Sequence, residues 1–347
     1  MRYMENCVKL PAEWTAQDVV QLTWPHEGTD WAPILAEVVA CYAAIAKAIM
    51  RYDNLVVVCQ DVSKARWQLG EVDFSRVKFI PLPTNDTWAR DHAPISVFRD
   101  GKPALYDFVF NGWGLKFPAD KDNLITSRLY ETGYFAEDVE YINKAPFVLE
   151  GGSIDTDGEG TILTTEACLL SPNRNGFLTK EGIEAYLKET FGVKRVLWLK
   201  NGYLAGDDTD SHIDTLARFC SPDTIAYVKC EDPSDEHYES LKAMEEELME
   251  FRQENGEPYR LIALPMADPV YNGKERLPAT YANFLIVNNA VLVPAYLTPK
   301  DKLVREILKE AFPDRDIVSL NCLPLIKQHG SLHCITMQYP EGFMRKA

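Results

Sequence analysis

Leu55-Val56-Val57-Val58-Cys59 is an unbroken apolar run set between Asn54 and Gln60. At five residues it is too short for a helix, and its three valines favour a buried strand. Working outward, Ile34, Leu35, Val38, Val39, Tyr42, Ile45 and Ile49 recur at helical spacing between Trp31 and Arg51, with Asp30 placed to cap that helix. On the other side, Val62–Leu69 reads as a short helix and Val77–Leu82 as a second strand. Strand alternating with helix is the mark of an α/β protein. The alternation continues to the C-terminus. Ile95–Phe98 and Ala104–Phe110 form a hairpin about Asp100-Gly101, Asp120–Gly133 a helix, Thr161–Thr164 a strand, Lys180–Phe191 a helix and Lys194–Leu199 a strand. Strands follow at Ile225–Cys230, Arg260–Leu264, Tyr281–Val287, Ala290–Pro294 and Asp316–Leu320, with helices at Ser234–Asn255, the longest, and Pro299–Phe312. Residues 10–31 read as irregular and aromatic, and a repeat of roughly 60–70 residues is discernible.

The chain has 347 residues, of which 46% are apolar, enough for a well-buried core in one large or two smaller domains. A formal charge of -16 argues against nucleic acid or an anionic membrane as partner and is compatible with a cationic substrate. The eight cysteines are scattered without a C-x-x-C pair, as expected of reduced thiols rather than a disulfide framework or zinc ribbon. Met1–Lys9 has no apolar core of a leader peptide, and no stretch reads as about 18 apolar residues, so neither export nor a membrane span is expected.

Four loops concentrate polar groups. Pro83–Pro94 carries Asp86, Trp88, Arg90, Asp91 and His92; Asn111-Gly112-Trp113-Gly114 places a tryptophan between glycines; Glu150 precedes Gly151-Gly152 at a strand end; and Gly206–Phe219 sets four aspartates around His212. Two residues apart, His212 and Asp214 would share one side of a strand. In Gln328-His329-Gly330-Ser331-Leu332-His333-Cys334, the cysteine stands where a loop enters the alternating run Ile335–Tyr339. That position suits either a reactive thiol or a small buried hydrophobe.

Taken together, Cys334, His212, Asp91, Glu150 and Asp214 fit a cationic electrophile better than an acyl group. Carboxylates beside a thiol raise its pKa and repel an oxyanion. A planar guanidinium instead offers donors that carboxylates accept in pairs, and its charge favours the thiolate.

The blocks Leu10–Trp14, Thr84–Asp91, Phe110–Gly114, Leu149–Ser153, Thr209–Phe219, Asn283–Ile286 and His333–Thr336 resemble, in order and over nearly the whole chain, the agmatine deiminase (Porphyromonas-type peptidylarginine deiminase) family. The resemblance implies a single catalytic domain over residues 1–347 with a pentein fold, a five-bladed α/β propeller of pseudo-repeated units around a central active site. It implies hydrolysis of agmatine to N-carbamoylputrescine and ammonia, in putrescine biosynthesis, with neither metal nor cofactor. By the same resemblance Cys334 is the nucleophile, His212 the general acid/base, and Glu150 the acid that orients it and contacts substrate. Asp91 and Asp214 hold the guanidinium, Trp88 and Trp113 line the pocket, and Asp86 and Arg90 are structural. The partner is then a small cationic guanidine, in the cytoplasm, and a homo-oligomer is compatible with the sequence. His329-Gly-Ser-Leu-His-Cys334 and Ser211 depart from the common family pattern beside catalytic positions. Three other readings are another guanidine substrate, such as free arginine or peptidyl-arginine, a metal hydrolase built on His329 and His333, and a non-catalytic ligand-binding protein.

Overall fold

In the computed structural model, which describes residues 7–345, five sheets of one design follow each other along the chain. Each opens with an antiparallel pair and continues, through a helical crossover, into a parallel neighbour. The first unit pairs Ile95–Arg99 with Lys102–Val109 and then Glu140–Val148; the second, Ile154–Thr156 with Thr161–Thr165 and then Arg195–Leu199. The third pairs Ala217–Ser221 with Thr224–Lys229 and Arg260–Pro265; the fourth, Leu285–Val287 with Ala290–Ala295 and Asp316–Asn321. In the fifth, the C-terminal strand Thr336–Pro340 pairs antiparallel with Gln17–Thr23, which runs parallel to Asn54–Cys59 and so to Val77–Pro81. The two ends of the chain thereby share one sheet. Opening strands at 95, 154, 217 and 285 are spaced by 59, 63 and 68 residues, which is the repeat legible in the sequence.

Local rules place most elements. Val62–Leu69 starts where Asp61 accepts a hydrogen bond from Lys64 N, and Lys180–Phe191 where Thr179 accepts from Gly182 N. Leu35–Ile49 packs Val38, Tyr42, Ile45 and Ile49 into the largest core cluster.

Five expectations are corrected. Residues 10–31 are not irregular throughout: Gln17–Thr23 is an interior strand, made inconspicuous by Gln17, Asp18 and Gln21, of which Gln21 is fully buried and accepts from Tyr339 Oη. The longest helix is Leu35–Ile49, of 15 residues, because the acidic segment forms helix only over Tyr238–Glu250. Asp30 caps nothing, since a 3₁₀ turn at Ala32–Ile34 intervenes. The strand predicted over Tyr281–Val287 is confined to Leu285–Val287. Finally, Ala32–Ile49 is long and apolar enough by composition to cross a membrane, with a mean hydropathy of 1.7 over 18 residues, although its apolar face is spent on the core. The leader reading of the N-terminus falls partly on residues 1–6, outside the described residues.

Candidate active site

The repeat positions the site. Just before the opening strand of each unit, the chain makes a tight turn that supplies one polar group: Asp91 before Ile95, Gly152 before Ile154, Asp214 before Ala217, Asn283 before Leu285 and Cys334 before Thr336. Hydrogen bonds tie these turns together. Arg90 N donates to Cys334 O at 3.1 Å, Gly152 N to Asp91 Oδ1 at 3.0 Å, Asn283 Nδ2 to Asp214 O at 3.3 Å and His333 N to Asn283 O at 3.2 Å. His212 and Asp214 do converge, but on a 3₁₀ turn at Ile213–Thr215 rather than along a strand. Asp210 and Ser211 both have left-handed φ, near 65°, which is the backbone condition that favours glycine at such a position.

Cys334 lies at the floor of a cleft of about 110 Å³ that Asp30, Asp86, Trp88, Asp91, Trp113, Phe117, Asp208, Thr209, Gln328, His329 and Gly330 also line. Its Sγ donates to Asn283 Oδ1 at 3.4 Å and lies 3.8 Å from Asp214 Oδ2. Asp91 accepts from Trp113 Nε1 at 2.9 Å and from Gly152 N, and its Oδ1 stands 3.6 Å from His212 Nδ1. Two buried atoms here have no partner, His212 Nε2 and Asp214 Oδ1. An unpaired oxygen on the carboxylate beside the thiol is what a donor-rich cationic ligand would satisfy.

The electrostatics are those of a site awaiting positive charge. Burial, with Asp214 and Asp91 adding to it, pushes the Cys334 thiol well up. Asp91 is likewise raised by burial and by Asp214. Burial lowers His212 to about 3, so it is a neutral base at pH 7. Of the three carboxylates Asp214 alone ends below the usual range: burial pushes it up, but the hydrogen bond with His333 Nδ1, 2.7 Å from Oδ2, outweighs that.

Sequence reasoning missed the groups behind the cleft. His333 spans Asp214 and Glu13, its Nε2 lying 2.7 Å from Glu13 Oε2, and Arg218 donates to the same Glu13 oxygen. With both ring nitrogens engaged, His333 has none to offer a metal in company with His329, which leaves the metal-hydrolase reading without its ligand pair. Asn283 went unnoticed because it was assigned to a strand, although its block carried the family resemblance. Arg90 is buried at the back, 3.9 Å from Glu13, as expected of a structural residue, whereas Asp86 lines the cleft. Glu150 is fully buried and does not line the cleft; Arg174 Nε donates to both its oxygens, at 2.9 and 3.0 Å. Glu150, Cys168 and His212 could in principle hold an ion, with candidate ligand atoms all within 4.8 Å, but the Arg174 guanidinium already provides the cation there.

Gly152 is required by space. A Cβ at that position would lie 2.6 Å from His212 Nδ1 and 2.9 Å from Asp91 Oδ1. Gly152→Ala is therefore expected to displace both side chains and lower kcat/KM by about 10²-fold, the scale of a small misplacement of catalytic groups. Steady-state kinetics with a melting curve would check it; near-normal kinetics would show that the two side chains need no such proximity.

Five α/β units around a shared polar centre with a cysteine, a histidine and carboxylates define the chain as a guanidine-modifying enzyme of the pentein fold. The sequence profile of the Porphyromonas-type peptidyl-arginine deiminase family matches residues 9–340, and the chain belongs to that family. The agmatine deiminase of Stutzerimonas stutzeri is 33% identical over 97% of this chain and 96% of its own. A cysteine-to-serine variant of the C. jejuni agmatine deiminase, solved with substrate bound, superposes with a TM-score of 0.91 at 38% identity, covering 99% of each chain. A Porphyromonas gingivalis protein provisionally called an arginine deiminase superposes with a TM-score of 0.94 at 56% identity, covering 97% of this chain and 100% of that one.

Proposed function

We propose that this protein is an agmatine deiminase, hydrolysing the guanidinium of agmatine to N-carbamoylputrescine and ammonia through one catalytic domain that spans the chain. The observation that carries the reading is the composition of the cleft. Cys334 and Asp91 face it together with Asp30, Asp86 and Asp208, and among the described residues no lysine or arginine lines it. Agmatine is cationic at both ends and lacks a carboxylate. Free arginine would need a cationic anchor for its carboxylate, and the lining offers none.

In this mechanism Asp91 and Asp214 accept the guanidinium N–H groups, and the bound cation stabilises the Cys334 thiolate. His212 takes the proton that the Cys334 thiol gives up, the sulfur attacks the central carbon, and His212 returns that proton to the departing nitrogen, so that ammonia leaves an amidino-thioether. His212 then removes a proton from water, whose oxygen adds to the same carbon; the C–S bond breaks, returning the thiolate and releasing the carbamoyl product. Trp88 and Trp113 provide ring faces for the alkyl chain and its charge. All eight cysteines are free, which suits the cytoplasmic setting and the role in putrescine synthesis proposed here. Ammonia release measured with agmatine, arginine and a blocked arginyl peptide tests the reading. Agmatine should be preferred by about 10²-fold or more in kcat/KM, since an unpaired carboxylate buried among aspartates is strongly rejected. Preference for arginine or the peptide would replace agmatine as substrate.

A further inference from the structure

Arg174 lies outside every group assigned above, yet its side chain is completely buried beside the proposed catalytic base. All three of its nitrogens donate, Nη1 also to Cys168 O at 3.5 Å. Nε donates to both oxygens of Glu150, Nη1 to Asp210 Oδ2 at 2.7 Å and Nη2 to Thr209 O at 2.9 Å. Thr209 Oγ1 in turn accepts from His212 N at 3.1 Å. Asp210 also binds Lys116 Nζ at 2.7 Å, in the segment that carries Trp113 and Phe117 to the cleft. One guanidinium thus joins the turn before the second unit to the loop that delivers His212. We infer that Arg174 is the positioning residue of the proposed base, fixing Glu150 and the Thr209–Asp210 backbone as one rigid frame that holds the His212 loop in place.

The frame depends on where the charge sits. A buried carboxylate with no cation would take up a proton and lose one of its acceptor oxygens. Arg174 opposes the upward push of burial on Glu150, and its positive charge adds to the burial that holds His212 down. Lysine could supply charge without the planar fork, and glutamine neither charge nor reach. The group that could otherwise hold an ion, formed by Glu150, Cys168 and His212, is thereby served by a cation belonging to the fold.

The inference rests on the deiminase reading, and the test separates the two. Wild type, Arg174→Gln and Arg174→Lys are assayed for ammonia release from agmatine from pH 5 to 9, with melting temperatures recorded. In Arg174→Gln, kcat should fall about 10²-fold, the scale of an impaired general acid/base, with KM changed by less than about threefold because no substrate contact is lost. Removing the cation takes away one of the effects that hold the His212 pKa down, burial being the larger, so the acid limb should lie at higher pH than in wild type. Arg174→Lys should leave the acid limb where wild type has it but lose kcat by about tenfold through the missing fork. A folded Arg174→Gln with wild-type kcat and pH profile overturns the inference. If Arg174→Gln does not fold, a wild-type kcat in Arg174→Lys does so instead. A wild type that releases no ammonia from agmatine refutes the substrate assignment on its own.

Discussion

Cys334→Ala is expected to reduce ammonia release from agmatine to background, a loss of about 10⁴-fold or more, as when the nucleophile of a covalent mechanism is removed. Nothing else in the cleft can replace it. The other lining groups are aspartates, a threonine, a glutamine, His329 and aromatic rings, and the oxygens of Asp91 are engaged by Trp113 and Gly152. The fold should tolerate the change, because the thiol makes only weak, long contacts, to Asn283 Oδ1 and Asp214 Oδ2. Iodoacetamide gives a companion measurement with a defined sign. Burial, Asp214 and Asp91 raise the thiol of the free protein well above its usual range. Alkylation at pH 7 should therefore be slow and should climb with pH, as the thiolate population does. A small guanidinium salt at non-denaturing concentration should accelerate it at neutral pH, because a bound cation lowers the pKa it sits beside. Rapid alkylation of free Cys334 at pH 7 would mean that the thiolate exists without substrate. Undiminished turnover in Cys334→Ala would remove the covalent mechanism altogether.

Much of this site was legible in the sequence because local chemistry and fold agree there. Asp91, His212, Asp214 and Cys334 all sit in short turns before strands, and strand entries can be read from apolar runs bounded by polar residues. Helix Val62–Leu69 and helix Lys180–Phe191 carry their own caps and were read with the bounds they have. What could not be read depends on distance along the chain. His333 meets Glu13 across 320 positions, and Arg174 meets Glu150 across 24 through a turn with no periodic signal. Gln17–Thr23 was missed because its polar side chains are paired inside the fold, Gln17 Nε2 donating to Glu13 O and Ile286 O, and pattern alone reads such residues as loop. Asn283 was misread because Phe284–Val287 after it is apolar, and a run of that kind does not reveal where its strand begins.

The three carboxylates expected to act together are not equivalent in the fold, and the difference predicts which of them holds the substrate. Glu150 has Arg174 as its counter-ion, and Asp214 is hydrogen-bonded by His333, which is backed by Glu13 and Arg218. Asp91 has only the neutral donors Trp113 Nε1 and Gly152 N, and it is raised by burial for want of a cation. The missing counter-ion is the guanidinium, so Asp91 should gain most when substrate binds. Asp91→Asn is expected to lower kcat/KM for agmatine by about 10²–10⁴-fold, since each hydrogen bond to a charged group contributes about 1.5–3 kcal/mol and a guanidinium offers two. The amide would also turn its NH₂ toward either Trp113 Nε1–H or Gly152 N–H, two donors face to face, and so move the side chain off the guanidinium plane. KM should rise along with the fall in kcat, in contrast to Arg174→Gln, where kcat alone should suffer. The same variant should lose the guanidinium-dependent acceleration of Cys334 alkylation while alkylating faster in its absence, because one of the two anions opposing the thiolate is gone. An Asp91→Asn protein that keeps its KM, or that still answers to a guanidinium salt, would shift the substrate anchor to Asp214, the other carboxylate beside the sulfur, whose Oδ1 is unpaired.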